Sequence, residues 1–139
     1  MAIAETIDEI AGDLSLLGDW EERYGYILEL GRALPSLSPA ERSDANKVRG
    51  CASQVWLVTE RGDNGEMIFR GDSDAHIVRG LIAILLRLFS HRTPAEILAV
   101  DPQQAFARLG LADALTPQRS NGVFSMIARI RRDAEAARS

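Results

Sequence analysis

Val55-Trp56-Leu57-Val58-Thr59-Glu60-Arg61, then Gly62-Asp63-Asn64-Gly65, then Glu66-Met67-Ile68-Phe69-Arg70 occupy the middle of the chain. The two outer runs are rich in β-branched and aromatic side chains, which suit a pleated, half-buried surface, and the four residues between them suit a hairpin turn. Two antiparallel strands are therefore predicted over 55–61 and 66–70. A third short strand is placed at Asn46–Arg49 or just past Phe69.

On either side of the hairpin the apolar residues recur at helical spacing. Thr6-Ile7-Asp8-Glu9 has the form of a capping box, and Ile7, Ile10, Leu14 and Leu17 follow until Gly18. Asp19 caps a second helix carrying Trp20, Tyr24, Ile27, Leu28 and Leu34 on one stripe, and Pro35 stops it. Ser38-Pro39-Ala40-Glu41 caps a further turn. Beyond the hairpin, Asp72-Ser73-Asp74 supplies an N-cap for a central helix whose Ile77, Leu81, Ile84, Leu85 and Leu88 form a broad apolar face beside Val78, Ile82 and Phe89. Thr93-Pro94-Ala95-Glu96 and Asp101-Pro102-Gln103-Gln104 each begin a short helix, with Leu109, Leu111 and Leu115 after them. Ser120 or Asn121 opens the last helix, with Val123, Met126, Ile127 and Ile130 inward and Arg129, Arg131, Arg132 and Asp133 toward water. Helices at both ends of a hairpin define an α+β fold, a small antiparallel sheet of two or three strands packed against helices.

The 139 residues, 46% of them hydrophobic, fit one domain spanning 1–139. A net charge of −4 opposes the basic footprint of a nucleic-acid binder, although Lys47 is the only lysine among 16 basic residues. The longest apolar run, Leu81–Leu86, is far shorter than the roughly 20 residues of a membrane span, so no membrane is expected. Residues 1–17 have neither a basic leader nor a long apolar segment, and a single cysteine forms no intramolecular disulfide; a reducing cytoplasm is the expected location.

That cysteine, Cys51, lies just before the hairpin in Lys47-Val48-Arg49-Gly50-Cys51-Ala52-Ser53-Gln54-Val55-Trp56. Gly50 permits a sharp turn, and the small residues after it favour a loop near the surface. Arg49 and Lys47 would favour the thiolate, whereas Val48, Val55 and Trp56 would favour the neutral thiol if the side chain turned inward. A lone free cysteine is also often a small buried hydrophobe. His76 and His91 are the only candidate general bases of the usual kind for a cysteine hydrolase, and each has a plainer place at an end of the central helix. One Cys and two separated His lack metal-ligand spacing, and a single thiol does not suit cluster assembly within this chain. No cofactor site is evident.

The run Val-x-Gly-Cys-x-Ser-x-Val-Trp at 48–56 resembles the motif of the SufE family, sulfur acceptors that work with cysteine desulfurases in iron–sulfur cluster assembly. Asn46, Asp72-Ser73-Asp74-Ala75, Ile77-Val78-Arg79-Gly80-Leu81 and Arg119-Ser120-Asn121-Gly122 extend the resemblance in order over nearly the whole chain. Ala52 stands where the family often has Gln, and Arg49 where it often has Pro. The resemblance implies the α+β architecture shared with NifU-type scaffold proteins. It also implies that Cys51 carries sulfur as a persulfide, taken from a SufS-type desulfurase whose own pyridoxal phosphate does the first chemistry, and handed to a SufB-type scaffold. The desulfurase would be stimulated. The chain would be a sulfur-transfer protein rather than an independent hydrolase or oxidoreductase.

Around Cys51, the resemblance makes a loop and partner surface of Arg49, Gly50, Ser53, Trp56, Asp72, Ser73, Asp74 and Arg119. Asp72-Ser73-Asp74 is otherwise simply a helix cap, Trp56 packing beneath the loop, and Arg119 either a solvated loop charge or a residue of a cavity near Cys51. A small regulatory adaptor with an incidental cysteine is the second reading, a cysteine hydrolase the third. Monomer and homodimer are equally compatible with the sequence.

Overall fold

In the computed structural model, which describes residues 2–112 and 115–138, the hairpin consists of β1 (Val55–Arg61) and β2 (Met67–Ser73). The strands are antiparallel, in register from Val55 opposite Ser73 to Arg61 opposite Met67. β2 continues to Ser73, three residues past the predicted end, because the ladder to Val55 persists and the Asp72 carboxylate is satisfied where it is buried. The third strand is reduced to a bridge between Lys47 and Trp56, with the Val48 N–H donating to the Val55 carbonyl at 2.8 Å and the Leu57 N–H to the Asn46 carbonyl at 2.8 Å.

Six helices surround the hairpin among the described residues: α1 (Ile3–Ser15), α2 (Trp20–Arg32), α3 (His76–Phe89), α4 (Pro94–Leu98), α5 (Pro102–Leu109) and α6 (Pro117–Arg138). The central apolar stripe is as the spacing predicts. α3 buries Ile77, Val78, Leu81, Ile82, Ile84, Leu85, Leu88 and Phe89, and it touches α1, α2, α6 and β2. Full burial of each such side chain contributes about 1.5–3 kcal/mol. α2 lies closest to it, crossing where Gly31 meets Gly80: a Cβ on Gly31 would stand 2.7 Å from the Gly80 nitrogen, and one on Gly80 would run into the Ile27 carbonyl. Gly80→Ala is accordingly expected to cost at least about 2 kcal/mol in urea unfolding, since overpacked backbone has no rotamer by which to escape. A cost below about 0.5 kcal/mol would mean that the crossing is loose.

Three helix starts differ from the sequence reading. α1 begins at Ile3, a turn before Thr6, with Glu5 accepting from the Ala2 N–H at 3.2 Å; Thr6 is buried and its hydroxyl donates back to the Ala2 carbonyl. α3 is preceded by Ala75, which has no capping side chain. Asp72 and Ser73 belong to β2, and they are occupied there by long-range partners. α6 begins at Pro117, not at Ser120 or Asn121, and the Arg119 N–H donates to Thr116 Oγ1 at 3.3 Å. Thr116-Pro117 repeats the cap and first-turn proline that do begin α4 and α5, where the Glu96 N–H donates to Thr93 and the Gln104 N–H to Asp101. Ser38 and Glu41 exchange capping hydrogen bonds over a single turn with no helix beyond it.

Candidate functional site

The loop 49–53 leaves the Lys47 bridge, reverses at Gly50 and re-enters the sheet at Val55. Gly50 has φ +90°, and a Cβ there would fall 2.6 Å from Ser125 Oγ, so both its backbone angle and its contact with α6 favour glycine. Ser125 Oγ donates to the Gly50 carbonyl at 3.3 Å. The loop's entry is held by Arg129, whose guanidinium donates to the carbonyls of Ala45 at 3.0 Å and Lys47 at 3.1 Å. Its exit is held by the end of β2. Ser73 Oγ donates to the Gln54 carbonyl at 2.7 Å, and Asp74 accepts from the Gln54 N–H at 3.0 Å.

Between these anchors Cys51 is half-buried, with Sγ donating to the Gly122 carbonyl of α6 at 3.6 Å. It opens on a cavity of about 220 Å³, lined by Cys51, Ala52 and Ser53 from the loop, Val78 and Leu81 from α3, and Thr116, Gln118, Arg119, Gly122 and Met126 at the start of α6. The volume exceeds the roughly 30 Å³ share of a water molecule several times over, leaving room for an added atom on Sγ. Burial pushes the Cys51 thiol above its ordinary value, so the neutral form prevails at rest. Free protein should therefore react with iodoacetamide at neutral pH more slowly than a peptide thiol, with the rate still climbing beyond the usual thiol range near about 8.5. A rate at pH 7 equal to that of the peptide would overturn this picture of the resting thiol.

The sequence-predicted residues divide into four groups. Cys51, Ser53 and Arg119 share the cavity. Arg119 lies in the first turn of α6 rather than on a loop, and among the described residues its guanidinium has no hydrogen-bonding or ionic partner. Arg49 and Lys47 do not enter the cavity; they lie along a separate groove on the other side of the loop, so neither opposes the effect of burial on the thiol. Gly50, Ser73 and Asp74 shape the loop.

Asp72 and Trp56 are internal. Asp72 is 0% exposed and accepts from the Leu37 N–H at 3.0 Å, the Ser73 N–H at 2.8 Å, Arg42 at 2.7 Å and Arg79. Arg79 also donates to the Gly31 and Leu34 carbonyls at the end of α2. Trp56 is 8% exposed beneath the Arg42 guanidinium, 5.5 Å from the ring centroid. Neither forms part of a docking surface in this conformation.

The residues missed by sequence reasoning are Ser125 and Arg129. Arg129, Arg131 and Asp133 are turned to structural use rather than to water: Asp133 pairs with Arg129 and accepts from Thr59 at 2.8 Å, and Arg131 donates to the Val100 carbonyl at 2.7 Å. Their partners lie far away in sequence, and no local pattern marks them. Neither histidine lines the cavity. His76 is exposed at the start of α3, and His91, at φ +64°, lies 3.6 Å from Glu66. Among the described residues no group of three or more His, Cys, Asp or Glu is placed so that it could hold a metal ion, and no helix is long and apolar enough to cross a membrane.

Fold and site together define a small α+β protein that presents one thiol on a tethered loop beside a cavity. The SufE family model, described as an Fe–S metabolism associated domain, matches residues 8–134. An uncharacterized SufE-like protein of Rhizobium etli is 51% identical over 133 residues, covering 94% of this chain and 90% of that one. Another, of Rhizobium meliloti, is 47% identical over 133 residues, covering 94% and 95%. The chain belongs to the SufE family. In fold it is similar to the solution structure of a hypothetical protein from Thermus thermophilus, with TM-score 0.76 at 19% identity over 95% of each chain. The family description ties the chain to iron–sulfur metabolism.

Proposed function

We propose that the protein accepts sulfur on Cys51 from the persulfide of a SufS-type, pyridoxal-phosphate-dependent cysteine desulfurase and passes it to a SufB-type scaffold for iron–sulfur clusters. The observation that carries this reading is the sole cysteine, half-buried on a glycine-turned loop over a cavity, in a chain of the SufE family. The Cys51 thiolate attacks the terminal sulfur of the desulfurase persulfide. A new S–S bond forms on Cys51 as the donor's S–S bond breaks, the donor cysteine leaves as its thiolate, and the proton lost from Cys51 rebalances it. No net oxidation occurs, as in thiol–disulfide exchange.

Because burial keeps the resting thiol neutral, docking must expose or deprotonate it before attack. The cavity then offers the carried sulfur shelter from stray reductants, and with no second cysteine no internal thiol can displace it. Transfer to the scaffold is a second exchange in another complex. The pyridoxal phosphate works in the partner, and a reducing cytoplasm keeps Cys51 as the free thiol from which acceptance starts.

The test is to incubate the purified protein with an active desulfurase, pyridoxal phosphate and limiting cysteine, without added reductant, and weigh the intact chain and its Cys51 peptide. One added sulfur atom on Cys51 is expected, together with faster desulfurase turnover. An unmodified Cys51 despite demonstrated binding would favour the adaptor reading.

A further inference from the structure

The transfer chemistry uses the cavity on one side of the 49–53 loop. On the other side lies a groove of about 350 Å³ between the segment 44–49 and the middle of α6. It is lined by four cations, Lys47, Arg49, Arg129 and Arg132, and a single carboxylate, Asp44. Only Arg129 is engaged, by Asp133 and the two loop carbonyls. Among the described residues the side-chain cations of Lys47, Arg49 and Arg132 have no hydrogen-bonding or ionic partner. Elsewhere Arg32, Arg42, Arg70, Arg79, Arg87 and Arg108 each meet a carboxylate.

In a chain with 20 acidic residues against 16 basic, three unpartnered cations on one groove reverse the local sign of the surface charge. Their mutual repulsion is relieved by an anionic occupant. The groove's rim is fixed, since Arg129 holds the backbone at Ala45 and Lys47 and the Lys47 bridge holds it to β1.

We infer that this groove receives an acidic segment, a run of Glu and Asp side chains, of the protein that donates sulfur to Cys51. Cationic heads on long, flexible stems, spread along an open groove, match carboxylates spaced along a polypeptide. A compact phosphate would be better served by a helix N-terminus, and the start of α6 opens on the Cys51 cavity instead. Three cations on a net-negative chain fall short of a nucleic-acid footprint. The position is also apt. Arg49 is two residues from Cys51, and Ser125, which lines the groove, holds the Gly50 carbonyl, so a segment seated here brings its parent surface over the thiol. In assigning the segment to the sulfur donor, the inference rests on the proposed function.

Two measurements test it. A fluorescent oligoglutamate peptide, titrated by anisotropy into the full chain at low ionic strength, is expected to bind. Lys47→Glu/Arg132→Glu weakens it about tenfold or more, Lys47→Ala/Arg132→Ala weakens it less, and Arg132→Lys retains it. In sulfur transfer from a cysteine desulfurase, the KM for the charge-reversed chain rises about tenfold, more than kcat falls. The difference shrinks at about 0.15 M salt, where the Debye length is about 8 Å. Failure of the peptide to bind, displacement of the peptide by an equal concentration of inorganic phosphate, or an unchanged KM each overturns the inference. If the unaltered chain never gains sulfur, the proposed function fails on its own while the peptide titration still decides the groove.

Discussion

Cys51→Ser abolishes sulfur acceptance: the expected mass spectrum after incubation with desulfurase and limiting cysteine shows no added sulfur, and desulfurase turnover falls to its level without the protein. A serine hydroxyl is not ionised at neutral pH and cannot form the S–S bond in which the sulfur is carried, so the loss is complete rather than partial. The fold should be untouched. Cys51 is half-buried, and the hydrogen bond its side chain makes to the Gly122 carbonyl is within a hydroxyl's chemistry. Urea unfolding within about 0.5 kcal/mol of the unsubstituted chain and unchanged binding to the desulfurase are therefore part of the prediction. A serine protein that still gains sulfur would end the Cys51 mechanism. Unchanged stimulation of turnover by Cys51→Ala would instead establish the adaptor, with the thiol incidental.

The second large effect is on stability. Asp72→Ala is expected to cost about 3–5 kcal/mol, because removing one partner of a buried ion pair strands the others. Arg79, whose side chain is 14% exposed, would lose its carboxylate, and the Leu37 and Ser73 N–H groups would lose their acceptor. Arg42, 41% exposed, would be hydrated and contributes less. The consequences reach the site through Ser73 and Asp74, which hold Gln54 at the loop exit. A loss below about 1 kcal/mol would show that the cluster is not what joins α2, β2 and α3.

The same carboxylate has a pH signature. Burial alone would raise its pKa, but the Leu37 and Ser73 N–H groups together with Arg42 and Arg79 outweigh burial and hold it below the ordinary value. A depressed carboxyl contributes stability that is fully present above the unfolded value, about 3.9, and is lost as pH falls through the folded value. Acid unfolding driven by Asp72 thus falls below about pH 4. In Asp72→Asn that component of the acid transition is absent.

Much of this was legible before the structure. The Gly-rich turn between two β-branched runs specifies the hairpin, the Thr93-Pro94 and Asp101-Pro102 pairs start α4 and α5, and the apolar stripe from Ile77 to Phe89 marks the helix at the centre. Gly50 before a lone cysteine correctly indicated a turned loop carrying the thiol. Each of these signals is local: a turn, a cap or a helical face is decided by side chains within a few residues of one another, and composition and spacing record it directly.

Partnership across the chain was not legible. Asp72 reads as a cap because Asp before a helix usually is one, yet its partners Leu37 and Arg42 lie 35 and 30 residues away. Arg129 reads as solvated because its helical face is otherwise polar, yet it grips the Lys47 carbonyl 82 residues away. The sequence alone determined that one cysteine sits on a loop between helices and a hairpin. Only the tertiary structure decided that α6 closes a cavity over the thiol, with Arg119 inside and Lys47 and Arg49 outside. A buried charge is placed by whichever distant groups satisfy it, and chain spacing does not encode which groups those are.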